Sequence, residues 1–121
     1  VCLGIGENGH IAFNDPPVAD FYDTAIVKKV ALDHSCRAQQ VHEGCFQQLE
    51  AVPQTALTLT IPVIMNAHYL FCIAPGSSKK AAVFNTLNGP VSESCPATIL
   101  QQHPHCKFYF DEASYPLHPD E

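Results

Sequence analysis

His68-Tyr69-Leu70-Phe71-Cys72-Ile73-Ala74, followed at once by Pro75-Gly76-Ser77-Ser78, is the stretch on which the fold turns. The first seven residues form a short apolar run rich in strand formers and read as a buried strand. Pro75 and Gly76 break it. From Lys79 to Leu87 the apolar positions Ala82, Val83 and Leu87 recur with helical spacing, until Asn88-Gly89-Pro90 ends the helix. Ala97 to Gln102 reads as a second short helix stopped by Pro104, and Cys106 to Phe110 as a last strand.

Upstream the alternation continues. Val1 to Ile5 is an apolar run closed by glycine, which suits a strand buried on both faces, and Gly6 to Pro17 is a loop. Thr24 to Leu32 is β-branched and half polar, an edge strand whose Lys28-Lys29 pair discourages further pairing. Asp33 or Ser35 can cap a helix over Cys36 to Gln48, with Gly44 a weak point or an end. Leu57 to Ile61 alternates as a strand, and Pro62 to Asn66 makes a helical turn. Strands alternating with helices predict an α/β fold: a mostly parallel sheet covered by helices, Rossmann-like and three-layered. Residues 1–112 are expected to belong to one domain and 113–121 to an acidic, proline-containing tail. The chain opens on Val1 directly in a strand-like run, so an incomplete portion of a larger domain is expected.

The 121 residues are 46% hydrophobic and 15% charged, the composition of a folded domain with one core. Twelve acidic side chains against six basic ones give a formal charge of −6, which repels phosphate backbones and anionic lipid. Nucleic acid and membrane surfaces are therefore not expected as partners. No run approaches the roughly 18 apolar residues of a membrane span, and no signal-peptide pattern opens the chain, so a cytoplasmic location is expected. Cys2, Cys36, Cys45, Cys72, Cys95 and Cys106 contain no CxxC pair to clasp zinc, and most flank apolar runs as buried reduced thiols would.

Chemistry in such sheets collects at the carboxyl ends of strands. There the segment Gly4-Ile5-Gly6-Glu7-Asn8-Gly9-His10-Ile11-Ala12-Phe13-Asn14-Asp15-Pro16 gathers glycine, amide, imidazole and carboxylate. As a bare GxGxxG pattern, Gly4, Gly6 and Gly9 suggest a dinucleotide turn, but the first glycine lies inside the strand run and no convincing helix follows the third. The other reading takes the glycines as permission for tight backbone that presents His10 to a cavity, with Asp15 near enough to orient its ring. An imidazole beside a carboxylate is a natural proton carrier near neutral pH. Gly9, next to His10, joins the candidate substrate-binding positions. Lys79 follows Gly76-Ser77-Ser78 at a helix start, where free N–H groups favour anions.

The run GIGENGHIAFNDP resembles the signature of glucosamine-6-phosphate deaminases/isomerases, typically GxGxDGHIAFNEP. Val52-Pro53-Gln54-Thr55-Ala56-Leu57-Thr58 is similar to that family's VPxxALT, Pro75 to Ala81 to its GxxKAxA, and Leu100-Gln101-Gln102-His103-Pro104 also matches, all in family order. The resemblance implies isomerisation of an amino sugar phosphate coupled to loss of ammonia, giving fructose 6-phosphate, with no metal or redox cofactor. By position it makes His10 the ring-opening acid/base, with Asn8 and Asp15 in the relay that sets its state, and Lys79 the phosphate-binding lysine. Asp15 stands where the family usually has the longer Glu, and Asn8 cannot titrate, so the relay shortens to His10 and Asp15. His42 stands in the slot of a phosphate-binding arginine, and Arg37, a turn or more earlier, could substitute. The family's general base, an Asp, and its glycine/threonine-rich phosphate loop belong to a preceding half that this chain does not contain. Relatives include monomers and hexamers, so a homo-oligomer is compatible with the resemblance.

Two other functions compete. A 6-phosphogluconolactonase uses a similarly placed histidine to hydrolyse a lactone, but there a Ser-Leu-Phe-Pro type run tends to follow, whereas this chain has Phe13-Asn14-Asp15-Pro16. A non-catalytic sugar-phosphate-binding domain is the other. Asp20 and Asp23 read as solvated turn residues, His103 and His105 as helix-end residues lacking a third metal ligand, and His118 as an exposed tail residue.

Overall fold

A computed structural model describes residues 1–116. Its strands are β1 (Cys2–Leu3), β2 (Val27–Ala31), β3 (Thr55–Leu59), β4 (Leu70–Ala74) and β5 (Cys106–Phe110), and its α-helices are α1 (His34–His42), α2 (Ile61–Met65) and α3 (Lys80–Asn88). Short 3-10 turns cover Leu49–Ala51, Ser77–Lys79 and Pro96–Gln102. Three strands form a parallel sheet in the order β1-β4-β5, with Cys2 opposite Phe71 and Leu70 opposite Cys106. The mostly parallel sheet with helical cover is thus the architecture observed, and β4-α3-β5 is its βαβ unit.

Leu70, Cys72 and Ala74 project from β4 to one face of the sheet, where they meet Ala82 and Val83 of α3, Ala97, Ile99 and Leu100 of the last 3-10 turn, and Ile61 and Ile64 of α2. Burying a side chain such as Leu70 contributes roughly 1.5–3 kcal/mol. The opposite face of β4 and β5 is open among the described residues: Ile73 and Tyr109 are each 51% exposed. The unbroken apolar run of β4 therefore has one covered face, not two. β1 is an edge strand with Cys2 exposed, where burial on both faces was expected.

The alternation rule fails at β2 and β3. These two form a separate antiparallel ribbon, pairing from Val27 with Leu59 to Ala31 with Thr55. β3 begins and ends two residues earlier than Leu57–Ile61, because Thr60 becomes the residue preceding α2 and Pro62 sits in that helix's first turn. α1 is shorter than Cys36–Gln48, ending before Gly44, whose φ of 81° lies in the left-handed region that terminates helices. Ala97–Gln102 is a 3-10 turn, not an α-helix.

Two residues of the LQQHP stretch are structural. Gln101 Nε2 donates to the carbonyls of Thr86 (2.6 Å) and Gly89 (3.0 Å), closing the end of α3. His103 accepts from the His105 N–H at Nδ1 (3.0 Å), so Nε2 carries the proton and donates to the Ala67 carbonyl at 2.7 Å. At the start of the expected tail, the Ser114 N–H donates to Asp111 Oδ1 at 2.9 Å, and Asp111 also accepts the Gly76 N–H. His118 and its neighbours 117–121 lie outside the described residues. No helix of the described residues is long and apolar enough to cross a membrane. The described cysteines are all free thiols; Cys36 and Cys72 are buried, but Cys2 and Cys45 are exposed, against the expectation that most are buried.

Candidate active site

The loop after β1 leaves the carboxyl end of the sheet, beside the Pro75–Lys79 turn that leaves the same end of β4. It folds back on itself, the Gly6 N–H donating to the His10 carbonyl (2.8 Å) and the Gly9 N–H to the Gly6 carbonyl (2.9 Å). Glycine is required at position 6 because a Cβ there would land inside the His10 imidazole. Gly9 is required for another reason: its φ is 86°, and a Cβ would stand 2.5 Å from Cys95 Sγ. Gly9 therefore packs against the Cys95 loop, and its carbonyl accepts the Ala97 N–H at 2.9 Å. It does not line the cleft, contrary to its assignment as a substrate-binding position.

His10, Asn8 and Asp15 do come together. His10 Nδ1 lies 2.6 Å from Asn8 Oδ1 and 3.1 Å from Asp15 Oδ1. Both neighbours are acceptors, since Asn8 Oδ1 also takes the His10 N–H (3.1 Å) and Asn8 Nδ2 donates to Asp15 Oδ1 (3.3 Å). The proton of the neutral ring therefore sits on Nδ1, leaving Nε2 as the base. Asp15 is fully buried and reaches the ring despite being shorter than Glu. Burial alone would raise its pKa, but hydrogen bonds from His10, the Asp33 N–H (3.2 Å) and Asn8 hold it below the usual carboxylate value.

His10 opens onto a cleft of about 470 Å³, within the range of small-molecule sites, lined also by Gly6, Ala12, Gln39, Glu43, Thr58 and Lys79. The β2-β3 ribbon forms one wall: Thr58 Oγ1 accepts the Phe13 N–H (3.1 Å), and Asn14 Nδ2 donates to the Leu59 carbonyl (2.9 Å). These bonds hold the tight turn from Ile11 to Asn14, where Ala12 takes a φ of 50°. Lys79 reaches the cleft as expected, and its Nζ lies 3.6 Å from Glu43 Oε1.

The two remaining candidates do not reach the cleft. Successive helical residues are rotated by about 100°, so Gln39 and Gln40 of α1, with Glu43 just past its end, line the cleft while Arg37 and His42 turn away. Arg37 donates to the carbonyls of Leu49 (3.1 Å) and Val52 (3.3 Å), tying α1 to the turn after it, and His42 is exposed. Gln39, Glu43 and Thr58 were missed in the sequence. The helical recurrence of 36, 39, 40 and 43 on one face was the available signal for the first two. Gln39 Oε1 accepts the Glu7 N–H and its Nε2 donates to Glu43, each at 2.9 Å, so it links the histidine loop to the lysine's partner.

The structure is thus an α/β sheet with an oriented imidazole and a lysine around one cleft at its carboxyl end, an arrangement chemically able to move a proton and to hold an anion. The family described as glucosamine-6-phosphate isomerases/6-phosphogluconolactonase matches residues 1–108, and the chain belongs to it. It is 43% identical over 115 residues to the glucosamine-6-phosphate deaminases of Bacillus thuringiensis (strain Al Hakam) and Bacillus cereus (strain AH820), covering 95% of this chain and 42% of each relative. The chain thus spans less than half the length of these curated relatives. A solved monomeric glucosamine-6-phosphate deaminase superposes with a TM-score of 0.86 at 33% identity, over 96% of this chain and 46% of that one. A 6-phosphogluconolactonase from Leishmania guyanensis shares the fold, with a TM-score of 0.68 at 20% identity over 97% of this chain and 40% of the other.

Proposed function

We propose that the chain supplies the carboxyl-terminal part of a glucosamine-6-phosphate deaminase site, acting on glucosamine 6-phosphate and water to give fructose 6-phosphate and ammonia. The observation that carries this reading is the clamped imidazole: with Nδ1 held by Asn8 and Asp15, His10 offers Nε2 to a cleft that also holds Lys79. In the reaction, His10 Nε2 takes the proton of the anomeric hydroxyl and returns it to the pyranose ring oxygen as the bond from C1 to that oxygen breaks, while Asp15 stabilises the imidazolium that forms in between. Lys79 holds the phosphate, which displaces Glu43 from the lysine as it enters. The carboxylate that moves the proton between C1 and C2 comes from sequence outside these 121 residues. The deaminase reading is preferred to lactone hydrolysis by the 43% identity to deaminases and by Phe13-Asn14-Asp15-Pro16 after the histidine motif.

The test joins this chain behind the amino-terminal portion of the Bacillus thuringiensis relative and measures ammonia release from glucosamine 6-phosphate. Release that is lost in the His10→Ala version, with sugar-phosphate binding retained, is the expected result. Lactone hydrolysis without ammonia would reverse the assignment, and binding without turnover of either substrate would favour the non-catalytic reading.

A further inference from the structure

Directly behind the imidazole lies a group that the proposed reaction does not use. Cys36, the third residue of α1, is fully buried, and its Sγ belongs to a cluster with His10 and Asp15 whose donor atoms all lie within 4.8 Å of one another. We propose that His10, Asp15 and Cys36 form an inhibitory site for a soft divalent cation of the zinc class.

Two observations support it. The donors are one imidazole nitrogen, one carboxylate oxygen and one sulfur, a set that favours Zn²⁺ or Co²⁺ and disfavours Mg²⁺ and Ca²⁺, which take oxygen ligands. His10 Nδ1 and Asp15 Oδ1 are already 3.1 Å apart, close to the roughly 3.3 Å that separates two ligands of a tetrahedral zinc with bonds of about 2.0 Å.

The proton balance explains why occupation inhibits. The ion bonds to the Cys36 sulfur, whose proton leaves to solvent, and to His10 Nδ1, whose proton transfers to Nε2. The imidazole is left in the opposite tautomer, with Nε2 protonated and unable to accept a proton from anything in the cleft. The inhibitory consequence rests on the deaminase reading, but the metal site itself stands without it, because metal binding is measured with no substrate present.

The experiment titrates the chain with Co²⁺ and follows the near-ultraviolet thiolate-to-cobalt absorption. One equivalent should saturate the band, Zn²⁺ should erase it and Mg²⁺ should not. Cys36→Ser should remove the band and weaken Co²⁺ binding more than about tenfold. Five other cysteines are present, at positions 2, 45, 72, 95 and 106, and Cys36 is buried, so X-ray absorption on the unmutated zinc-loaded chain provides the second measurement. One sulfur and one imidazole nitrogen around the metal are expected. A zinc shell without sulfur, a shell with more than one sulfur, or a cobalt band that survives Cys36→Ser would overturn the proposal. Should the cobalt data hold while ammonia release fails, the metal site stands and the deaminase reading falls.

Discussion

Asn8 Oδ1, at 2.6 Å, is a nearer acceptor for His10 Nδ1 than Asp15 Oδ1 at 3.1 Å. A neutral amide therefore fixes the ring's tautomer, and Asp15 supplies the charge that stabilises the protonated ring. The depressed carboxyl of Asp15 makes part of the fold's stability depend on pH. A carboxylate lowered on folding contributes stability above its unfolded value of about 3.9, and loses it as the pH falls through the lower folded value. Asp15→Asn should cost roughly 1.5–3 kcal/mol at pH 7 and flatten the acid limb of a denaturant-unfolding series. Gly6→Ala should leave circular dichroism unchanged but push the His10 ring off its seat, and ammonia release by the joined protein should fall as far as in His10→Ala. His10 and Asp15 were legible in sequence because they sit within six residues of one loop, and Asn8 through that loop's resemblance to the family signature. For Gln39 and Glu43 the helical recurrence of 36, 39, 40 and 43 was the one signal, and it does not say which face of the helix meets the cleft.

Among elements, β5 was legible to the residue and α3 to within one, because Pro104 stands before the first and glycine and proline flank the second. The ribbon was not. Half-polar alternation in β2 and β3 is the pattern of an antiparallel pair with one solvated face, but their position between helices suggested parallel crossovers. The ribbon shapes the site by clasping the turn at Ala12 through Thr58 and Leu59. The end of α3 depends on a residue distant in sequence, Gln101. Gln101→Ala should lower stability by about 1–2 kcal/mol in chemical denaturation while leaving the His10 ring resonances in place, because both lost hydrogen bonds lie at the helix end.

At the scale of the molecule, a chain of net charge −6 needs local positive potential to take the proposed anion, and Lys79 offers it from beside a competing carboxylate. Glu43→Gln should tighten inorganic phosphate binding by up to about fivefold, equivalent to roughly 1 kcal/mol for a half-exposed pair, with the gain shrinking as salt is added. Calorimetry at two ionic strengths measures both effects. The overall α/β class was legible because alternation of elements constrains layers even where it misassigns a pair of strands. The open face of the sheet was not, since an apolar run looks alike whether one side or both are covered.

Side-chain nitrogen NMR of the His10 imidazole reads whether an unprotonated Nε2 meets a sugar phosphate. A proton on Nδ1 is expected, with an Nε2 resonance that moves when glucosamine 6-phosphate is added. A ring protonated at Nε2 in the free chain, or an Nε2 resonance unmoved at saturating sugar phosphate, would overturn the assignment of Nε2 as the base.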